Sequence, residues 1–369
     1  MKKHNDQIAM TNRKWQNHLK AKGFIPFMYD RLFSHVKSDS WQYSKSAFHF
    51  PINNRERDDE LSKYFFEWAE YFPPEIYIET TSLCNLNCAM CARSKMTRSS
   101  GTMTTDLFKK IIDEIADNLK WCYVHMYGVG EPTMDRYLIE RLNYSINKGL
   151  SNIVVFTNGQ RLEENELYKK IVDSGVQTIG VDFDGYSKEI YEKVRIGGDY
   201  KKIQRGINLL CNYIKKNNFS TRLEVAYHYY PGLNDNDLEK FINWAICEEF
   251  EYKIVSLHQW INLRKDISAG LLPGKHYEKP EHKAPCFFLW STTVHWSGNI
   301  PICFMDANDQ FIQGNLNNSN IQDIWQGNLQ KMRKLHIQGN LPDLCRTCLS
   351  KQTINMPKFK STLYPKVLR

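Results

Sequence analysis

The chain has 369 residues, of which 42% are hydrophobic and 24% charged, and its net charge is +8. That length allows about two domains with a substantial buried core, and Lys and Arg are scattered rather than run together, so no nucleic-acid partner is indicated. No stretch approaches 18 apolar residues and the first twenty lack a signal-peptide apolar run, which leaves no membrane span and no secretion signal to read.

Ten cysteines without a secretion signal point to a reducing, cytoplasmic setting, with thiols kept for metal or catalysis. Seven of them fall into two groups with metal-ligand spacing. Residues 1–74 form an aromatic-rich extension, with Trp15, Phe27, Trp41, Tyr64 and Trp68 among its rings. Helices are predicted over 12–20, capped by Thr11, and over 59–71. Aromatics of this kind serve as core where the extension packs outside a larger domain; the functional alternative is a cover over substrate.

Residues 75–93 read EIYIETTSLCNLNCAMCAR. A short strand over 75–80 feeds a loop that carries Cys84, Cys88 and Cys91 at C-x3-C-x2-C spacing. Three thiolates within eight residues can hold three corners of an iron–sulfur cube and leave one iron open. Zinc would require a fourth ligand, and no histidine lies between Glu75 and Met103. This stretch resembles the signature of the radical S-adenosylmethionine (SAM) superfamily, in which the open iron takes the amino and carboxylate groups of SAM.

From 75 to about 260, strand-like and helix-like segments alternate, the pattern of a parallel α/β fold. Strands are predicted over 75–80, 121–127, 153–156, 177–182, 222–227 and 252–257. Helices are predicted over 105–118, 136–148, 163–174, 200–216 and 235–249, with Gly149 and Gly175 closing two of them. The resemblance implies a partial (β/α)6 barrel over 75–277, like a TIM barrel left open, and six strands agree with it. In such barrels the reacting groups sit in the loops at the strands' C-terminal ends.

Those loops hold the remaining cofactor candidates. Gly130 and Glu131, in Tyr127-Gly128-Val129-Gly130-Glu131-Pro132, match the family's glycine–glutamate segment that binds the SAM amino group. Glycine admits close backbone approach, and a carboxylate accepts from ammonium. Thr157 and Asn158 sit where the family approaches the cofactor. Asp182 and Asp184, two residues apart on one strand face, resemble the segment that bonds the ribose, with Asp182 favoured. Arg195 matches the arginine that pairs the SAM carboxylate. Met90 stands where the family usually carries an aromatic that packs on adenine, and a thioether can do the same.

Past 260 the rhythm breaks. Residues 278–285 read as a connector to a small domain over 278–350, and 351–369 as a tail. Cys286 and Cys303 flank a predicted hairpin with strands over 288–296 and 300–304. A helix is predicted over 321–337, and Cys345 and Cys348 follow at C-x2-C. Spacing alone leaves zinc and a [4Fe–4S] cluster equally open for these four thiols. The order of Gly298, Cys303, Gly314-Asn315-Leu316, Ile324-Trp325 and C-x2-C resembles the auxiliary-cluster domain called SPASM in its shortened, single-cluster Twitch form. The aminocyclitol dehydrogenase of butirosin biosynthesis has that layout.

The resemblance implies two [4Fe–4S] clusters and SAM as cofactors, and a flavodoxin- or ferredoxin-like electron donor. It implies reductive cleavage of SAM to a 5′-deoxyadenosyl radical that takes a hydrogen atom from substrate. A cluster held by four thiolates has no open iron, so its role is electron transfer. The favoured expectation is a two-electron oxidation of a small hydroxylated, sugar- or cyclitol-like substrate. The alternative is modification of a ribosomal peptide by cross-linking or epimerisation. Cys122, placed on the strand over 121–127, is a candidate hydrogen donor. Tyr127 is a candidate base along with His125, His258 and His295. Cys211 and Cys247, on predicted helices beside apolar residues, read as core.

Overall fold

The structure, a computed structural model, describes residues 71–120, 122–230, 233–256, 289, 291–346 and 348. Residues 1–70, Cys286, His258, the connector and the tail over 351–369 lie outside the described residues.

Seven parallel strands make the main sheet: β1 (Glu75–Ile78), β2 (Tyr123–His125), β3 (Ile153–Thr157), β4 (Thr178–Asp182), β5 (Arg222–Tyr229), β6 (Glu251–Ser256) and β7 (Ser291–Val294), in the order β6-β5-β4-β3-β2-β1-β7. The partial α/β barrel is therefore as expected, but with one strand more than the sequence indicates. The segment assigned to a C-terminal hairpin contributes β7, which pairs with β1 in register Glu75↔Ser291 through Ile78↔Val294. Its four residues are all buried, so it reads as a continuous core strand and not as an alternating one. What hides it in the sequence is the long stretch between β6 and β7, which carries no helix signal.

Period-2 alternation sorts the strand residues into two faces. Ile76, Ile78, Val124, Ile153, Val155, Ile179, Val181, Leu223 and Val225 lie in one hydrophobic core with the covering helices. Their alternates point to the other face, the barrel interior: Tyr77 and Glu79 on β1 and just beyond it, His125 and Tyr127 at β2, Phe156 on β3, Asp182 on β4, Glu224 and His228 on β5. That inner wall is polar and aromatic where the outer one is aliphatic.

The helices follow the same logic. Helix α1 (Thr105–Asn118) starts where Thr104 Oγ1 accepts from the Leu107 N–H, and it buries Leu107, Ile111, Ile112 and Ile115. Full burial of such side chains stabilises by about 1.5–3 kcal/mol each, enough to fix which face turns inward. Helix α2 is Leu138–Asn147. The predicted helix over 163–174 is shorter than expected: Asn165 and Glu166 adopt left-handed backbone, and α3 begins only at Leu167, running to Asp173. Helix α4 (Lys188–Val194) is an addition to the sequence reading. Ser187 caps it, and Asp237 accepts from both the Ser187 N–H and its hydroxyl. Helices α5 (Tyr200–Lys216) and α6 (Asp235–Glu248) lie where expected.

The C-terminal unit pairs β8 (Asn299–Pro301) with β9 (Ile312–Asn315) and continues as a helical stretch over 321–337, with a π turn at Trp325–Leu329, and the short α7 (Asp343–Arg346). Helix α1 holds it to the barrel. Lys110 Nζ donates to the Leu316 and Ser319 carbonyls, and the Glu114 carboxylate accepts from the Ile321 and Gln322 N–H groups, both at 2.9 Å.

Candidate functional site

The loop after β1 brings Cys84, Cys88 and Cys91 into one small buried cluster with Leu86, Met90, Val194 and Tyr230. Each sulfur meets a donor. Cys84 Sγ accepts from the Leu86 N–H at 3.4 Å and lies 3.8 Å from Asn158 Nδ2. Cys91 Sγ accepts from the Arg93 N–H at 3.4 Å, and Cys88 Sγ lies 3.8 Å from Arg195 Nη1. Helix α4 anchors the loop from outside, through Ala89 N–H to Val194 O and Asn87 N–H to Ile196 O. Burial pushes the Cys88 thiol up to about 12, against the pull of Arg195, and raises Cys84 as well. A buried thiol cluster with N–H···S donors suits metal ligation, because a bound metal replaces the proton that burial otherwise retains. Tyr230 supplies a second sign of fit: its hydroxyl is fully buried beside this cluster with no hydrogen-bond partner. No three His, Cys, Asp or Glu side chains among the described residues are gathered around a single-ion site.

Glu131 is buried and well supplied. Its Oε1 accepts from the Thr157 hydroxyl at 2.6 Å, the Thr133 hydroxyl at 2.7 Å and the Thr133 N–H at 3.0 Å, while Oε2 accepts only from the Asn158 N–H at 2.7 Å. Burial raises its carboxyl and these donors oppose the rise. Oε2 keeps capacity for one further donor. Thr157 and Asn158 are thus placed beside Glu131, with Asn158 Nδ2 donating to Asn85 Oδ1 in the cysteine loop. Gly130 has a reason other than ligand approach: a Cβ there meets Thr81 O at 2.0 Å and Ser82 Cα at 2.7 Å. The glycine lets the loop after β2 pack on the backbone that leads into the cysteines.

After β4, the two aspartates separate. Asp184 is fully buried and committed: Oδ2 accepts from Arg195 Nε at 2.6 Å, and Oδ1 faces His228 Nδ1 at 2.8 Å. Asp182 is partly open and touches Arg195 Nη2 at 3.4 Å. Only Asp182 can turn to a new hydroxyl without leaving a buried charge unpaired. Burial would raise the Asp184 carboxyl, but Arg195 and His228 hold it well below the usual carboxylate range. Arg195 is itself buried, linking Asp184, Asp182 and Cys88. Sequence reasoning missed His228. Ending the strand at 227 put it in a loop, whereas the full β5 gives it the inward parity of Glu224 and Ala226.

Deeper in the barrel, Tyr77 stacks on His125 at 4.5 Å and meets Tyr127 edge-on at 5.5 Å; Tyr127 also contacts Phe156 at 5.1 Å. His125 Nε2 lies 2.6 Å from Glu75 Oε1 without hydrogen-bond alignment. Lys253 pairs with Glu224 at 2.6 Å and sits 4.1 Å over the Phe156 ring. Burial, then Glu75, pushes the Tyr127 phenol well above its usual value, which favours its protonated form. Cys122 corrects an expectation: it shares the parity of Val124 and Met126 in the helix-side core, and its Sγ contacts Pro73 O at 3.5 Å. The strand's alternation points it away from the interior, so it is not placed to give a hydrogen atom there. Cys211 is buried as expected, but Cys247 is exposed, not core.

The second cysteine group is described in part. Cys303 follows β8, Cys345 lies in α7, and the Cys348 N–H donates to Cys345 O at 3.3 Å, the turn of a C-x2-C. Next to Cys303, Phe304 enters the barrel mouth, 4.8 Å from the Tyr77 ring and 5.9 Å from Tyr127. Ala307 packs with Val129 and Ala92 against Cys91. A buried ion pair fixes this approach: Arg98 Nη2 donates to both Glu79 oxygens, at 2.8 and 2.6 Å, and Arg98 Nε donates to Ala307 O at 2.7 Å. At the C-terminal end of β7, His295 Nδ1 meets Asp309 Oδ1 at 2.5 Å.

Residues 78–245 match the radical SAM superfamily, and 286–349 match an iron–sulfur cluster-binding domain, SPASM. The AdoMet-dependent heme synthase of Methanosarcina barkeri is 35% identical, covering 75% of this chain and 88% of that protein. The PqqA peptide cyclase of Bradyrhizobium diazoefficiens is 30% identical, but over only 34% of this chain and 33% of its own length. In fold, the chain is similar to BtrN in complex with AdoMet and 2-DOIA, with a TM-score of 0.52 and 20% identity over 78% of this chain and 97% of that one. It is also similar to Streptococcus suis SuiB bound to precursor peptide SuiA, with a TM-score of 0.55 and 13% identity over 90% and 82%.

Proposed function

Because the chain belongs to the radical SAM superfamily and carries a SPASM domain, with SAM and two [4Fe–4S] clusters as its cofactors, we propose that it oxidises a small hydroxylated, sugar- or cyclitol-like substrate by two electrons. Bound at the cysteine loop, the first cluster and SAM supply a radical that removes one hydrogen atom. The chain's own residues do the rest. Asp182 is the ribose ligand, Glu131 Oε2 accepts from the SAM ammonium, and Met90 packs on adenine. Arg195 keeps Asp182 oriented and shields Cys88. Gly130 and Arg98 hold the two cysteine-bearing loops in place, and the buried barrel wall excludes water from the reacting carbon.

The observation that carries this reading is the approach of the Cys303 loop to the barrel mouth. Phe304 lies on Tyr77 and Tyr127, and Ala307 packs by Cys91. A four-thiolate cluster held by Cys286, Cys303, Cys345 and Cys348 would accept the second electron from that side. The inner wall supports a polyhydroxylated substrate, since Glu224, Lys253, Asp182 and His228 offer both donors and acceptors around aromatic faces that suit C–H groups.

A second reading, modification of a peptide, is favoured by the likeness to the peptide cyclase; the long similarity to a heme synthase adds a tetrapyrrole as a further substrate to compare. The test compares extracts of anaerobic cells with and without the protein by mass spectrometry over metabolite and peptide ranges. A small hydroxylated compound that accumulates without the protein, about two mass units above its product, supports the oxidation. An unmodified peptide accumulating instead sinks it in favour of the second reading, and an accumulating tetrapyrrole redirects it to that class.

A further inference from the structure

We propose that His228 is the base that accepts the substrate's hydroxyl proton in this oxidation. The proposal rests on the two-electron reading above and deepens it. Removing a hydrogen atom from a carbinol carbon leaves an O–H proton and one electron to be lost before C=O forms. With SAM and both clusters bound, the hydrogen atom would go to the SAM-derived radical and the electron to the auxiliary cluster. The proton requires an acceptor at the barrel mouth.

Among the described residues, three histidines of the inner wall contact carboxylates, and geometry separates them. His125, the register partner of Tyr77, is buried, stacked on the Tyr77 ring with the Tyr127 ring edge-on to it. His295 is also buried, and its partner Asp309, which accepts from Asn299 as well, comes from the C-terminal unit. His228 alone keeps an open edge, with 19% of its side chain exposed at the C-terminal end of β5. There it stands beside Asp182, on the rim where the cofactor residues gather.

Its other edge is fixed. Asp184 Oδ1 faces both the ring Nδ1, at 2.8 Å, and the His228 backbone N–H, at 3.2 Å. Asn234 Nδ2 donates to the His228 and Asp184 carbonyls and locks the turn. Among the described residues, the charged groups on the elements packed against the imidazole are Asp184, with Arg195 and Asp182 linked to it, and Glu224 on β5 with its partner Lys253 on β6. With Asp184 ionised by Arg195, Nδ1 must carry a proton and donate it, which leaves Nε2 as the acceptor at the open edge. The same carboxylate stabilises the imidazolium once the proton arrives.

The first measurement needs no substrate. In the full chain labelled with 15N-histidine, the resonances lost in His228→Gln identify the ring. At pH 8, Nδ1 is expected to carry the proton and Nε2 to be bare; the opposite tautomer overturns the proposal. The second measurement uses the reconstituted enzyme. In it, His228→Gln should hold the same iron per chain and show the same visible absorption as the natural chain, which shows intact clusters. In cells relying on that variant, the compound two mass units heavier should accumulate, with product reduced about 100-fold or more. Normal product from the variant overturns the role of His228 and leaves the oxidation standing. If no such compound accumulates even without the protein, the oxidation fails, and the proposal with it.

Discussion

The two cysteine groups are built in opposite ways. Cys84, Cys88 and Cys91 lie within eight residues, and two of their sulfurs take donors from backbone N–H groups two positions ahead. Their geometry is mostly local, set by the loop that β1 launches. The second group spans residues 286 to 348, and its described part is positioned by contacts from distant chain: Arg98 and Glu79 at the Cys303 loop, Lys110 and Glu114 at the helical stretch. A local site tolerates loosening elsewhere. A site assembled from remote contacts fails piecemeal, and so each contact offers a graded test of the arrangement.

Ligand removal gives the largest effect. Cys88→Ala should abolish SAM cleavage and lower iron from about eight to about four atoms per chain. Cys303→Ala should lose a similar amount of iron yet still cleave SAM when given dithionite, while product formation stops. Iron analysis beside 5′-deoxyadenosine quantification distinguishes the two. Loss of SAM cleavage in Cys303→Ala would mean that the groups are not separable, which breaks the comparison.

Next is Asp184, the buried charge that ties Arg195 and His228 to the first group. Asp184→Asn leaves Arg195 buried without its main partner and should cost about 3–5 kcal/mol at pH 7 by urea unfolding. The pH dependence has a definite sign. Although burial alone raises this carboxyl, Arg195 and His228 depress it in the folded state. The unfolded chain therefore binds the proton first, and the stabilisation is complete above an unfolded value of about 3.9. It falls as pH drops below that, by up to about 1.4 kcal/mol per pH unit, until the folded value is passed. The gap between the natural chain and Asp184→Asn should therefore narrow only below about pH 4. Narrowing between pH 7 and 5 would show that Asp184 is not held ionised as described.

How much of this was legible before folding follows the same division. The first site could be read because its residues are consecutive and chemically distinctive. Asp182 was favoured over Asp184 from the resemblance alone; that one is partly open and the other spent on Arg195 appears only in the fold. Cys122 was misread because a place on the strand was taken as access to the interior, whereas parity puts it with Val124 and Met126 on the helix side. His228 was lost by ending a strand two residues early. β7 was predicted as a strand, within 288–296, but as one arm of a hairpin; nothing local showed that it joins β1 or that Phe304 meets Tyr77, since those partners lie over two hundred residues away in the chain.

Arg98 tests the remote contacts directly. Its guanidinium joins the Glu79 carboxylate to Ala307 O, so Arg98→Met removes a buried charge partner and the clamp on the Cys303 loop together. Destabilisation of about 3 kcal/mol is expected. Hydrogen exchange should speed up at residues 303–309 while the 84–91 loop keeps its protection. Equal loosening of both loops would show that Arg98 supports the whole barrel mouth and not the second group in particular.

The smallest effect sharpens the comparison most. Glu114 accepts from the first two N–H groups of the helical stretch at 321–337, the position where a carboxylate satisfies orphan donors and favours the helix dipole. A cap delivered by side chain from another helix has to hold that helix in place as well as satisfy it. Glu114→Gln keeps an acceptor but loses the charge, so it should cost about 0.5–1 kcal/mol, and less at high salt. Glu114→Ala, which removes the acceptor as well as the charge, should cost about 1–2 kcal/mol, of which only the part shared with Glu114→Gln falls at high salt. Chemical denaturation of both variants at low and high salt separates charge from hydrogen bonding. If both variants are neutral, the C-terminal unit is held by its apolar packing of Ile321, Ile324 and Trp325, and α1 contributes position without energy.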